Sequence, residues 1–148
     1  MPKNTVFAGS VEHQPTIVEA RAAAGNIRPG QLVTRTAGQF ALTANAQPGA
    51  LYIADLNSMR QGGIDELYAS GDTVKAFYPK AGELFHVRSA VANYTAVDTP
   101  LTCNAAGQVR IALTNGTEEI VAYVDEVINV TVADSLVRVR MANYSRQA

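Results

Sequence analysis

The chain never stays apolar for long. Short runs rich in Val, Ile, Thr and Tyr stop at Gly, Pro, Asn or Asp and then begin again, from "QLVTRT" (31–36) to "SLVRVRM" (135–141). Such punctuation breaks a helix before it can bury a face, while β-branched and aromatic side chains fit a pleated, half-buried surface. The sequence therefore predicts an all-β (β-dominated) domain built from hairpins. Alternation is plainest in the last run, where Val137, Val139 and Met141 fall on one face and Leu136, Arg138 and Arg140 on the other. "INVTV" (128–132) precedes it across the short turn "ADS", so the two read as a hairpin whose outer face carries two arginines.

Length and charge narrow the rest. A chain of 148 residues suits one compact domain. Residues 16–148 read as that single β domain. Residues 1–15 show no period, end at Pro15, and read as an extended N-terminal arm. "TIVEARAAAGN" (16–26) fits either a helical turn or the start of a strand. Lys plus Arg (12) nearly balances Asp plus Glu (13), so no basic field draws in nucleic acid. No apolar run approaches the ~20 residues that span a bilayer, and the opening has no signal-peptide core. The expectation is a soluble protein made in a reducing cytosol, with no direct nucleic-acid or membrane partner.

Turn chemistry marks four positions. Pro29 and Gly30 suit the centre of a type II turn. A hairpin follows, residues 32–36 and 39–43 around Ala37-Gly38. "LTCNAAGQVRI" (101–111) aligns with "LVTRTAGQFAL" (32–42) without a gap, matching Gly107 to Gly38 and Cys103 to Thr34. Either any two glycine hairpins look this alike or the chain carries an internal duplication. Both glycines are expected at φ > 0, and Cys103 shares a face with Leu101. Between the hairpins, "GDTVKAFYPKAGELFHVRSA" (71–90) reads as two strands, with Phe85 and Val87 on one face and His86 and Arg88 on the other.

No chemistry stands out. A nucleophilic Cys103 would need a base, and the two histidines, His13 and His86, lie in the arm and on a polar strand face. One Cys and two distant His lack the close pairing of a metal site. Adjacent carboxylates such as Glu118 and Glu119 point to opposite faces of a strand. There is no phosphate-cradling glycine loop and no nucleophile elbow. The residues read as a non-enzymatic domain with no cofactor and no metal, whose work is structural or binding.

Three stretches together carry a resemblance. "NIRPGQLVTRTAGQFALTA" (26–44), "GDTVKAFYPKAGELFHVRSA…DTPLTCNAAGQVRIA" (71–112) and "IVAYVDEVINVTVADSLVRVRMA" (120–142) resemble the opening, middle and end of small tailed-phage capsid decoration, or cement, proteins. The turn "ADS" is shorter than that pattern has before its last strand, and residues 1–15 and 45–70 match no part of it. The resemblance implies a small β-barrel or β-tulip-like domain on the outer surface of an expanded icosahedral head. It also implies a homotrimer that bridges neighbouring subunits of the major capsid protein, in a virion protein synthesised in the host cytoplasm.

In that setting the arm around Val6, Phe7 and Val11 is expected to lie across a capsid subunit, and its removal to weaken attachment while leaving the domain folded. The Arg138/Arg140 face reads either as a solvated stripe or as a contact surface, and in that setting the two arginines are expected to face acidic groups of the capsid or of a sister subunit. The alternative is a β-sandwich ligand-recognition module, an adhesin or carbohydrate-binding domain. It would want grouped exposed aromatics, yet the chain has no Trp and its six Tyr are scattered.

Overall fold

The computed structural model describes residues 3–46, 50–114 and 116–146, with the side chains of Val11 and of residues 143–146 outside that description. The described strands are β1 (Thr16–Ala22), β2 (Leu32–Thr36), β3 (Gln39–Leu42), β4 (Tyr52–Ala54), β5 (Thr73–Tyr78) and β6 (Leu84–Ser89). They continue as β7 (Ala92–Tyr94), β8 (Pro100–Cys103), β9 (Val109–Ile111), β10 (Glu119–Val124), β11 (Ile128–Val130) and β12 (Ser135–Arg146). Single 3-10 turns occupy Val11–His13 and Ser58–Arg60. The fold is all-β, and residues 16–22 are strand rather than helix.

The strands close two five-stranded barrels, β1-β3-β2-β4-β5 and β10-β12-β6-β9-β8. Both have one connectivity. In each, the first strand in chain order lies parallel to the third and antiparallel to the fifth. The second strand is antiparallel to the third and fourth, and the fourth to the fifth. The repeat seen in the two glycine hairpins is thus a repeat of whole barrels. The second barrel adds a two-stranded ribbon, β7 with β11, inserted before its second and fifth strands.

The hairpins themselves differ by one residue. In the first, Thr36↔Gln39 closes a two-residue turn with Ala37 at φ 51° and Gly38 at φ 76°, the type I′ form that matches strand twist. In the second, Cys103↔Val109 closes a longer loop, 104–108, with Gly107 at φ 70°. There the Asn104 carboxamide oxygen accepts from the Ala106 and Gln108 amides. The ladders set Phe40 against Arg35 and Val109 against Cys103. Face for face, Cys103 therefore corresponds to Arg35, not Thr34; the ungapped match slips by one residue ahead of the turn. Leu101 and Cys103 do share a buried face, and Thr102 behind them is buried as well.

The slip has a packing consequence. Val33 turns into the first barrel's core with Ala22, Ile27, Phe40, Tyr52, Tyr68 and Val74. Leu32 turns the other way, and with Leu51, Ile53 and Phe77 it joins the core of the second barrel around Phe85, Leu101, Val124, Val137 and Val139. One apolar body runs from the outer wall of one barrel into the interior of the other. Each fully buried large side chain in it contributes about 1.5–3 kcal/mol.

Three expectations need correction. "INVTV" does not pair with "LVRVRM": β11 pairs with β7 through Asn129↔Asn93, and β12 runs between β10 and β6. The "ADS" turn holds Asp134 at φ 67°, but it turns β12 onto β6 rather than onto β11. Secondly, the arm is not free. The Ala8 amide donates to Leu84 (3.0 Å), the His86 amide to Val6 (2.6 Å), and Phe7 bridges Phe85. Val6 is 1% exposed inside the larger core, and the Phe7 ring lies 5.5 Å from that of Phe85 and 6.2 Å from that of Phe77. Removing the arm would strip an apolar wall from the second barrel. Thirdly, Arg88, expected on a polar face, is 4% exposed.

Candidate functional site

Two regions collect charged groups in defined geometry. The first lies between the barrels, on the outer face of β6. Strand parity does point Arg88 away from the barrel interior, but the 28–31 turn and the 64–65 segment cover it. Its guanidinium donates to the carbonyls of Pro29 (2.9 Å), Asp134 (2.8 Å) and Ile64, and pairs with Asp65 at 3.1 Å. The Arg88 amide donates to Gly30. Gly30 sits at φ 86°, a conformation that favours glycine, and a Cβ there would lie 2.8 Å from Leu136 Cδ2, the movable end of that side chain, and 3.3 Å from the His86 carbonyl oxygen. Asp134 closes the cluster, accepting from Gln108 at 2.6 Å and Arg28 at 3.5 Å. Each Arg88 guanidinium nitrogen points at a backbone carbonyl or a carboxylate of this chain, while Arg28 Nε is buried without a hydrogen-bond partner among the described residues. The cluster is a joint.

The second region is the outer face of β12 and β10, where the two candidate arginines lie. Arg138 Nε pairs with Asp125 at 2.9 Å. Arg140 pairs with Asp98 at 2.7 Å and lies over the Tyr123 ring at 5.6 Å. Lys3 of the arm meets Glu126 at 2.9 Å, and the Arg138 amide donates to the same carboxylate. Burial pushes Glu126 up, but the Arg138 amide and Lys3 outweigh it and hold the carboxyl below its ordinary range. His86 lies beside this group with Nδ1 donating to the Thr5 carbonyl at 2.8 Å. Burial lowers its pKa against that bond, with Lys3 and Arg138 adding to the fall. The surface is a mosaic of paired opposite charges, held by two strands of a closed barrel.

The other candidates are placed as follows. Val6 gives its side chain to the core, Phe7 is half-buried against Phe77 and Phe85, and Val11 has only its backbone described, in the 3-10 turn. Pro29 and Gly30 form the expected turn, with the Gln31 amide donating to Arg28. Cys103 is buried; its thiol donates to the Ala44 carbonyl at 3.0 Å, and burial pushes its pKa up. No group of three or more His, Cys, Asp or Glu is placed to hold a metal ion among the described residues. An open cleft of about 280 Å³ lies between Val6, Phe7 and Pro15 of the arm and Ile17, Leu56 and Phe77, with the Lys75–Asp55 ion pair at its wall, and one of about 370 Å³ lies beside the Arg60–Asp72 pair.

Sequence reasoning missed one further node. Arg110 grips Glu118 with two bonds (2.6 and 3.2 Å), and Glu118 also accepts from the Leu113 amide. Those Arg110 bonds, ahead of the cost of burial, hold the Glu118 carboxyl below its ordinary range. Only the isolated spacing of Arg110 and Glu118 hinted at it. No protein-family model matches the chain, and no curated protein matches it either.

Proposed function

We propose that the protein is a capsid decoration protein: a preformed β body that binds the outside of an expanded icosahedral phage head and bridges its major capsid subunits, acting as a homotrimer. The observation that carries this reading is that the three stretches resembling decoration proteins fall on the strands of both barrels, β2–β3, β5–β9 and β10–β12. The barrel architecture, with a larger core that takes in the outer wall of the first barrel, supports it, because a clamp on a shell needs stiffness and a broad polar face rather than a reaction centre. The Arg138/Arg140 mosaic is the surface offered. Its internal ion pairs keep it soluble when unbound and can be re-partnered on contact, since exposed pairs are individually worth under about 1 kcal/mol.

The mechanism is linkage. A protein that binds only the assembled shell stabilises that shell by mass action. Three copies of one patch around a symmetry axis make the second and third contacts effectively intramolecular. No catalytic step belongs to this reading.

Sedimentation of the purified protein with undecorated expanded heads, beside light scattering of the protein alone, tests it. A trimer that co-sediments at fixed stoichiometry is expected, with an Arg138→Ala/Arg140→Ala double variant binding more weakly. A monomer that binds no shell would overturn it and turn attention to ligand recognition.

A further inference from the structure

The shared connectivity leaves two equivalent sheet edges in unequal states. In the second barrel β6 meets β9 only at Ser89↔Val109 and then splays away, and the arm fills the splay. In the first barrel β1 meets β3 only at Arg21↔Gln39 and Ala22↔Phe40, and splays in the same direction. A shared hydrogen bond fixes the correspondence: the Ala23 amide donates to Phe40 at 2.9 Å, and the Ala90 amide to Val109 at 3.0 Å. Ile17, Val18 and Glu19 thus stand where Leu84, Phe85 and His86 stand.

On β1 the edge is open. Ala22 bonds on its β5 side, donating to Asp72 and accepting from Gly71. Ladder alternation then points the Ile17 carbonyl and the Glu19 amide the other way, toward the splay. Among the described residues neither meets a backbone partner. Packing agrees. Phe85 and Val87, under the arm, are fully buried, whereas their counterparts Val18 and Ala20 face the first barrel's core only partly buried, and Ile17 is 45% exposed.

We propose that the β1 edge from Thr16 to Ala20 is a strand-acceptor site for an extended segment of a partner polypeptide, bound antiparallel as the arm binds β6. The filled edge specifies the occupant. One residue accepts from the Glu19 amide, the residue two further on donates to the Ile17 carbonyl, and the residue between them is apolar and covers Val18. The accepting position lies opposite Glu19 and the donating position opposite Ile17, the places that Val6 and Ala8 hold on β6. The edge looks across the splay at β3, so a strand already flanked within another barrel has no room to enter. That geometry selects a lone segment over a second copy docking edge to edge. The chain's own arm is engaged at β6.

A synthetic peptide of residues 3–10, titrated into the full-length protein and followed through backbone amide signals, tests the proposal without any shell. Its failure is thus separate from failure of the decoration reading. Shift and exchange protection at the Glu19 amide are expected. Affinity should fall at least about tenfold with Glu19→Pro, which removes an amide that faces no partner and so is compatible with the strand. A peptide N-methylated at Ala8 should lose affinity similarly, with the protein unaltered. Three results would overturn the proposal: no perturbation at Glu19, perturbation centred on His86 through exchange with the resident arm, or Glu19 protection that rises with protein concentration alone.

Discussion

Gly38 and Gly107 occupy matching turns and face different demands. Nothing lies within 4 Å of a Cβ built on Gly38, whereas one on Gly107 would meet the Leu32 carbonyl oxygen and Leu42 Cδ2, each at 2.9 Å. Gly38→Ala is therefore expected to cost only the left-handed backbone penalty, about 1 kcal/mol. Gly107→Ala should add overpacking and reach about 3 kcal/mol; denaturant unfolding of the two variants decides it. Arg88 is the other residue whose surroundings cross between barrels. Arg88→Met leaves three carbonyls without their donor and should cost about 3 kcal/mol. Arg88→Lys should recover little, since one ammonium cannot reach targets spread around a planar fork. Parity read from the sequence placed the Arg88 side chain correctly away from the barrel interior. Its burial was illegible because the cover comes from residues 28–31 and 64–65, which no local pattern ties to β6. Cys103, by contrast, was read as a packed small residue from its shared face with Leu101, and the structure has it so.

Among the elements, strands were legible and partners were not. The runs at 128–130 and 135–141 announce themselves by alternation and are joined by residues that favour a turn, which is all a hairpin signal contains. What decides the pairing is distant: β6 and β10 both present apolar faces to β12, and β7 is left to take β11. The arm was opaque for a related reason. Val6 and Phe7 have no period around them, and their meaning lies in Phe77 and Phe85. Val6→Ala and Phe7→Ala should each destabilise the folded protein by about 2 kcal/mol, readable as a lowered unfolding midpoint. The arm should also respond to acid. His86, held neutral below the ordinary histidine range, contributes stability present above that range and lost as pH falls through its depressed pKa. Protonation of Glu126 at still lower pH removes the partner of Lys3. Exchange of the Ala8 and His86 amides should therefore quicken on acidification before exchange of β12 amides does, and His86→Gln should flatten the first part of that profile.

Taken whole, the molecule has two closed barrels and two apolar cores, the larger of which takes in the outer wall of the first barrel, so the barrels should melt together. A single transition by calorimetry, with calorimetric and van't Hoff enthalpies equal, is expected; two resolved transitions would mean that the wall of Leu32, Leu51, Ile53 and Phe77 couples the halves weakly. Glu118 extends the argument to pH. With a folded pKa below the ordinary value, it stabilises above the unfolded carboxyl range and ceases to do so as pH drops through its own. Glu118→Gln should raise the pH at which the protein unfolds in acid and leave the neutral-pH structure intact. The position of β6 has a consequence for how the protein is made. That strand lies between the segment around Phe7 and the strand at 135–146, so the second barrel cannot close until nearly all of the described chain has left the ribosome. The first barrel needs only residues 16–78 and can close on the nascent chain. It then waits with Leu32, Ile53 and Phe77 bare through the whole synthesis of its twin, a window in which slow translation invites nascent chains to stick to one another.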